Sequence, residues 1–412
     1  MYPESTRRSA RGADEDPPWA VVDRVVRMVD ENTDFPQVLR WEQAAKTAAA
    51  LAPAGPKLSS RQVGAAVESI RYHALASVDH VYRITGLEAA RNLHDSEVLV
   101  VDRAGWSRAN AQTFSVLLGG VMSGGINQRL EQMSGLERRV TQTGAEVELG
   151  AVLAFLSAKV LGQYDPLGRL GGFGPSGGRL MLVAPNIVAM ERELNLESDD
   201  FRLWVCLHEQ THRVQFAAAP WLSEHLTGLM GQLPERLGGG SEMLRRLLEG
   251  LRESAGGVLS SAQQQGEPRS GAAHRFTALM DPQAREIFSR LTAVMSLMEG
   301  HANLVMDAVD ASVVPSVKTI RRRFEQRGGQ RGVVETVMRK VLGLDLKMRQ
   351  YRDGQRFAEH IVAARGMEAF NRIWEGPEQL PSEEEIHEPD QWISRVLDGR
   401  LLEGSREEGG ES

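Results

Sequence analysis

Asp200-Phe201-Arg202-Leu203-Trp204-Val205-Cys206-Leu207-His208-Glu209-Gln210-Thr211-His212-Arg213-Val214-Gln215-Phe216 lies at the middle of a 412-residue chain. Its apolar residues cover most of a helix circumference, which predicts a buried helix from about Asp200 to Ala218 that stops at Pro220. Glu197, Ser198 and Asp199 supply acceptors where the first backbone N–H groups of that helix lack partners. His208 and His212 are four apart, so their imidazoles project from one face, one turn above the other, and can reach a single ion. Glu209 is displaced around the helix, away from the same ligand position but within reach of a water on that ion. Zinc lowers the pKa of such a water to roughly 7, and the carboxylate then accepts its proton as the water attacks a carbonyl. The pattern H-E-x-x-H thus predicts Zn2+ as cofactor, His208 and His212 as ligands and Glu209 as the general base of a peptide or amide hydrolase. With 10 histidines in the chain, a chance match has a probability of roughly one or two in a hundred.

A catalytic zinc site takes three protein ligands and keeps one position open. The metzincin solution is excluded, because the position six residues after His212 is Ala218 and Gln215 replaces the usual glycine. The other common solution takes a glutamate from a later helix. Asp281-Pro282 opens one, with Asp as cap and Pro at the first position, and it is expected to continue to about Val309. On it Ile287, Leu291, Val294, Met298, Ala302 and Val305 recur at core spacing. Glu299 lies at the edge of that stripe and is the leading candidate, while Gly300 would let another backbone approach closely. His301 is the rival ligand, and His225, past Pro220, a weaker one. Asn303 and Asp307, one and two turns after Glu299, are candidates to orient a ligand histidine. For an oxyanion donor the candidates are His301, Tyr351 and Tyr164.

Composition excludes several classes. Hydrophobic residues make up 42% and charged residues 25%, the usage of a soluble globular protein. A net charge of -7 gives no electrostatic reason to expect nucleic acid as partner, and Arg321-Arg322-Arg323 reads as a solvated helix face. Cys206 is the single cysteine, so neither an internal disulfide nor a cysteine-based zinc site is possible, and it reads as a small buried filler. The apolar runs Val116 to Ile126 and Ala151 to Leu161 are too short or too glycine-interrupted to span a bilayer, and Met1 to Asp16 lacks the apolar core of a secretory signal. The expectation is a cytoplasmic protein acting on a peptide or protein substrate, without membrane partners. The sequence leaves its oligomeric state open.

Along the chain, residues 1–18 read as a disordered tail, 19–178 as a helical N-terminal region and 179–402 as the metal-binding region. A mobile excursion is expected near 238–273 and a second disordered tail over 403–412. Val98-Leu99-Val100-Val101 could be a short strand or the start of a buried helix. The glycine-rich stretch 162–178 reads as a long loop, and Arg179 to Ala184 as a strand. The expected fold is therefore mainly α with a small β component, an α+β protein.

The blocks Asp200 to Phe216, Leu161-Gly162-Gln163-Tyr164-Asp165, Met295 to Ala302 and Leu344-Asp345-Leu346-Lys347-Met348-Arg349-Gln350-Tyr351 resemble a family of actinobacterial zincin-like proteins. That family is labelled zinc-dependent metalloprotease or deazaflavin-coenzyme-biosynthesis-associated, and was long catalogued as a domain of unknown function. The resemblance covers about Trp19 to Leu401. It implies a zincin-like, gluzincin-like metallopeptidase fold, His208 and His212 as ligands, Glu209 as base and Glu299 as third ligand. Gluzincins often carry an aspartate four residues after the ligand glutamate, whereas here that position is Asn303. In zincins a strand upstream of the motif helix usually pairs with extended substrate, and Arg179 to Ala184 sits where it should be, with an ordinary buried strand as the equal alternative. The competing reading is a non-catalytic zinc-stabilised scaffold or partner-binding protein, distinguished by a fourth coordination position closed by a protein side chain. No phosphate-cradling loop supports a coenzyme-linked role, since Gly171-Gly172-Phe173-Gly174 lacks a following Lys-Ser/Thr.

Overall fold

A computed structural model describes residues 40–122, 135–236, 282–326 and 350–399. The tails expected at 1–18 and 403–412, the excursion near 238–273 and the block from Leu344 to Arg349 lie outside them. In chain order the elements are α1 (Trp41–Leu51), α2 (Ser60–Thr85), β1 (Glu97–Val101), α3 (Arg103–Met122), α4 (Gly135–Ser157), β2 (Gly162–Asp165) and β3 (Arg179–Val183). Then follow α5 (Ala184–Glu193), α6 (Ser198–Ala218), α7 (Leu222–Arg236), α8 (Pro282–Ala308), α9 (Val317–Gln326), α10 (Gln350–Asn371), α11 (Glu383–His387) and α12 (Pro389–Trp392). The described chain is mostly helical with one three-stranded sheet, as expected of a mainly α, α+β protein. None of its helices is long and apolar enough to cross a membrane.

The sheet order is β1-β3-β2, with β1 parallel and β2 antiparallel to β3. The apolar run of β3 is buried from end to end, as befits a strand covered on both faces. Its side chains alternate between two cores. Leu182 joins the larger one, built from α2, α6, α7, α8 and α10. Met181 and Val183 join a smaller one with Ala44, Ala48, Trp106, Leu149 and Leu153 of α1, α3 and α4. The division expected between residues 178 and 179 runs through this sheet.

Two expectations need correction. The stretch read as a loop contains β2 and a 3-10 turn at Gly168–Gly171. What holds β2 is the buried Asp165, whose carboxylate accepts from Thr113 Oγ1 (2.6 Å), Arg179 Nε (3.0 Å) and the main-chain N–H groups of Leu167 and Gly168 (both 3.0 Å). A buried carboxylate with every lone pair engaged is a stable anchor, but its partners are spread over 67 residues of sequence. Second, Arg179 to Ala184 cannot pair with an extended substrate, because β3 is hydrogen-bonded on both sides. The edge facing away from β3 on the motif-helix side belongs to β2.

Helix α2 opens on a Ser59–Gln62 capping box and closes on Gly86 at φ 67. Its buried stripe, Ala66, Ile70, Ala74, Ser77 and Val81, is narrow enough for α6 to lie close. Across that contact the Cys206 thiol lies 3.8 Å from the Ile70 carbonyl and Gln210 Nε2 donates to the Ala74 carbonyl at 2.5 Å. Cys206 is wholly buried, as expected of a filler. The arginines read as a solvated face are partly engaged: Arg321 donates to the Met306 and Val309 carbonyls at the end of α8, and Arg323 to those of Leu194 and Asn195 after α5. Cations at helix C-termini satisfy carbonyls that lack intrahelical partners.

Candidate metal centre

Helix α6 runs as the sequence predicts and presents three stripes to three neighbours. Cys206 and Gln210 face α2. Glu209 and Phe216 face β2, where Glu209 lies over Gly162 and Phe216 meets the Tyr164 ring at 5.4 Å. His208, His212 and Gln215 face α8. On the first turn, Asp199 accepts from Ser69 Oγ (2.8 Å) and pairs with His73 of α2 (3.2 Å), and Arg202 is tied to Glu191 of α5 at 2.8 Å. The motif helix is therefore fixed along its length before any ligand is considered.

Helix α8 carries Glu299 to the same point. Its depth is set by the crossing with α10 at Gly300 and Gly354, where a Cβ on either glycine would overlap the backbone of the other helix. The close approach expected at Gly300 is thus present. His212 Nε2 stands 3.3 Å from His208 Nε2 and 3.6 Å from Glu299 Oε1, and His208 Nε2 stands 3.7 Å from Glu299 Oε2. All three ligand-type atoms lie within 4.8 Å of one another, and among the described residues no further His, Cys, Asp or Glu joins them. The side chain of His208 remains 23% exposed and that of His212 13%.

Burial disfavours the charged form of two side chains at this point, Glu209 and His208. Burial, and then the neighbouring Glu299, push the Glu209 carboxyl up to about 8. Burial, and then His212, push His208 down to about 3. Desolvation disfavours each charged form, so a neutral His208 imidazole and a Glu209 carboxyl of raised proton affinity stand at adjacent positions of α6. A bound cation inverts that balance.

The other candidates fall elsewhere. His301 is completely buried against Phe370 (5.1 Å) and Trp374 (5.5 Å), with Nδ1 accepting from Gln215 Nε2 at 3.0 Å; burial and His212 hold it down to about 3. It stands outside the converging trio. Asp307 is exposed, accepts from Gln355 Nε2 at 2.6 Å and lies 3.6 Å from Arg321. Asn303 is half-buried on α8, and the residue beside the His212 imidazole is Gln215, whose Oε1 is 2.9 Å from His212 Nδ1. Tyr164 donates its hydroxyl to the Gly177 carbonyl, so that proton is committed to the loop. His225 packs edge-on to Trp221 at 5.8 Å. Tyr351 opens α10, and its side chain lies outside the described residues.

Two residues at this centre escaped the sequence. Gln215 shares the face of His208 and His212, a spacing that could have singled it out, but it registered only as a departure from the metzincin glycine. Gly162 was one glycine in a glycine-rich stretch. A Cβ there would lie 2.5 Å from Glu209 Cγ and 2.7 Å from Cδ, so its bare α-carbon makes the space in which the glutamate stands.

Comparisons with known proteins bear on the same region. The profile of a family described as zincin-like metallopeptidase matches residues 39–393. A crystal structure of a candidate hydrolase with a novel fold from Chloroflexus aurantiacus is similar at a TM-score of 0.57 and 30% sequence identity, over 87% of this chain and 98% of that one. No curated protein matches. The family match spans both cores, the sheet and all three converging side chains, and by that extent the chain belongs to the zincin-like metallopeptidase family.

Proposed function

We propose that this protein hydrolyses peptide or amide bonds with a zinc ion held by His208, His212 and Glu299 and with Glu209 as general base. The observation that carries this reading is the convergence of three donors from two helices with no fourth ligand side chain among the described residues. The spacing fits the group. Ligands about 2.0–2.1 Å from a tetrahedral zinc are separated by roughly 3.3–3.4 Å, close to the 3.3, 3.6 and 3.7 Å found here. Two imidazoles and one carboxylate form the donor set of a catalytic site, which keeps a position for water or substrate, whereas a structural site closes it. That favours an enzyme over a scaffold.

Zinc at this point would supply Lewis acidity, lowering the pKa of water toward about 7 and polarising a substrate carbonyl. The rest falls to the chain. Glu209, buried beside Glu299 with a raised proton affinity, is suited to take a proton from the attacking water and return it to the leaving nitrogen. The outer edge of β2, whose first residue touches Glu209, is placed to align an extended peptide by main-chain hydrogen bonds.

The test is metal content together with a peptide-library cleavage screen. Wild type should carry about one zinc per chain, and His208→Ala and His212→Ala should lose it; full occupancy in the double variant would sink the site. Glu209→Gln should keep the zinc and lower kcat by about 10²–10⁴-fold. Wild-type turnover in that variant removes Glu209 from the mechanism, and a zinc-loaded wild type that cleaves nothing in the library returns the scaffold reading.

A further inference from the structure

We infer that Gln215 is the positioning residue of this centre, one buried amide that decides which nitrogen of His212 carries the proton and, by the same orientation, which nitrogen of His301 does. Gln215 is completely buried, and its amide touches three groups. Its nitrogen lies 2.9 Å from the Met298 main-chain carbonyl and 3.0 Å from His301 Nδ1, and its oxygen 2.9 Å from His212 Nδ1.

The Met298 carbonyl can only accept, so the amide NH2 must face it. Turning the amide over would set two acceptor oxygens against each other across 2.9 Å in a buried site. With the nitrogen fixed there, Gln215 Oε1 points at His212 and can only accept in turn. His212 therefore carries its proton on Nδ1, and its bare Nε2 faces His208 and Glu299. The second amide N–H goes to His301 Nδ1, which must be bare, placing the His301 proton on Nε2. That atom is buried with no hydrogen-bond partner among the described residues. The result is a polar chain running one way, from His212 Nδ1–H to Gln215 to His301, and a main-chain atom on α8 sets its direction.

This assigns a task to a residue that no motif marks. A ligand imidazole in water populates both tautomers, and the one protonated on Nε2 blocks the lone pair a metal needs. The carboxylates that usually hold such histidines add negative charge. A neutral amide fixes the tautomer without adding charge, and it locks His301 behind it between Phe370 and Trp374.

The test reads tautomers directly, by long-range ¹H–¹⁵N correlation of histidine rings in the full chain after chelation and again when loaded with zinc. Wild type should show His212 protonated on Nδ1 and His301 on Nε2 in both states. Gln215→Leu should release His212 to a mixture and weaken zinc binding about 10- to 100-fold. Gln215→Glu keeps an acceptor for His212 but offers none of the donors: it should retain the His212 tautomer and zinc binding, move the His301 proton to Nδ1, and lower stability because its second oxygen faces the Met298 carbonyl. Retention of one tautomer with inversion of the other is not a result that a packing role would produce. His212 protonated on Nε2 in the chelated wild type overturns the proposal outright, even if the leucine variant fails to fold. Unchanged tautomers in both variants overturn it as well. The zinc-affinity arm rests on the ligand set proposed above, whereas the tautomers of the chelated chain do not, so failure of one is distinguishable from failure of the other.

Discussion

At the scale of single residues, Glu209 and Gly162 form one device. The glutamate is legible in the sequence because its role follows from adjacency to His208, whereas the glycine acts from another element 47 positions earlier. Gly162→Ala would drive a Cβ to 2.5 Å from Glu209 Cγ, so the glutamate must move away from the strand. A displacement of about 1 Å of a reacting group can lower a rate by about 10²-fold. The expected outcome is zinc still bound at one per chain and kcat reduced by about that factor, checked by metal analysis and turnover on the same preparation. A wild-type kcat would mean that the carboxylate finds its working position without the space that Gly162 leaves.

At the scale of elements, the pair Gly300 and Gly354 sets how far α8 sinks toward α10. Replacing Gly354 with Ala places a methyl group against the Ser296 carbonyl on the facing backbone, which no rotamer change relieves. Such overpacking destabilises by about 1–3 kcal/mol or more, and since Ser296 and Gly300 flank Glu299, zinc affinity should fall with it. Gly64 on the exposed side of α2 has nothing within 4 Å of its missing Cβ. Gly64→Ala should therefore raise stability by about 0.5–1 kcal/mol. Denaturant unfolding of the two variants should move in opposite directions, and a neutral Gly354→Ala would mean the crossing can slide. Much of this scaffold was legible: the helix expected from about Asp200 to Ala218 is Ser198–Ala218, and the one expected from Pro282 to about Val309 is Pro282–Ala308. Both are long, strongly periodic and flanked in sequence by proline or acidic residues, signals that lie in or beside the element itself. Strand β2 was not legible, because four residues in a glycine-rich stretch carry no period and its anchor, Asp165, takes its partners from α3 and β3. The central place of β3 was hidden for the same reason, since a buried apolar strand reads alike whether it is paired on one side or two.

At the scale of the molecule, an ion held by His208, His212 and Glu299 would clasp α6, which is bound to α2 and the sheet, to α8, which is bound to α10. Both helices belong to the larger core, so a clasp across them should register in global stability. A ligand that binds the folded chain and not the unfolded one stabilises by RT ln(1 + [L]/Kd), about 4 kcal/mol when free zinc is a thousand times its dissociation constant. At an unfolding entropy of about 2.1 cal/mol/K per residue, a chain of this size shifts by roughly 1 °C per kcal/mol, so adding zinc to the chelated protein should raise Tm by about 5 °C. The increment should vanish in His212→Ala and persist in Glu209→Gln, which separates holding the ion from using it. Burial holds His208 down to about 3, so protons should compete for that ligand, and the increment shrink on its account, only as pH falls toward that value, because a protonated ligand releases the metal. A thermal scan with and without chelator on these three proteins decides the matter: a Tm in wild type indifferent to zinc would mean that the three side chains converge without clasping the two helices.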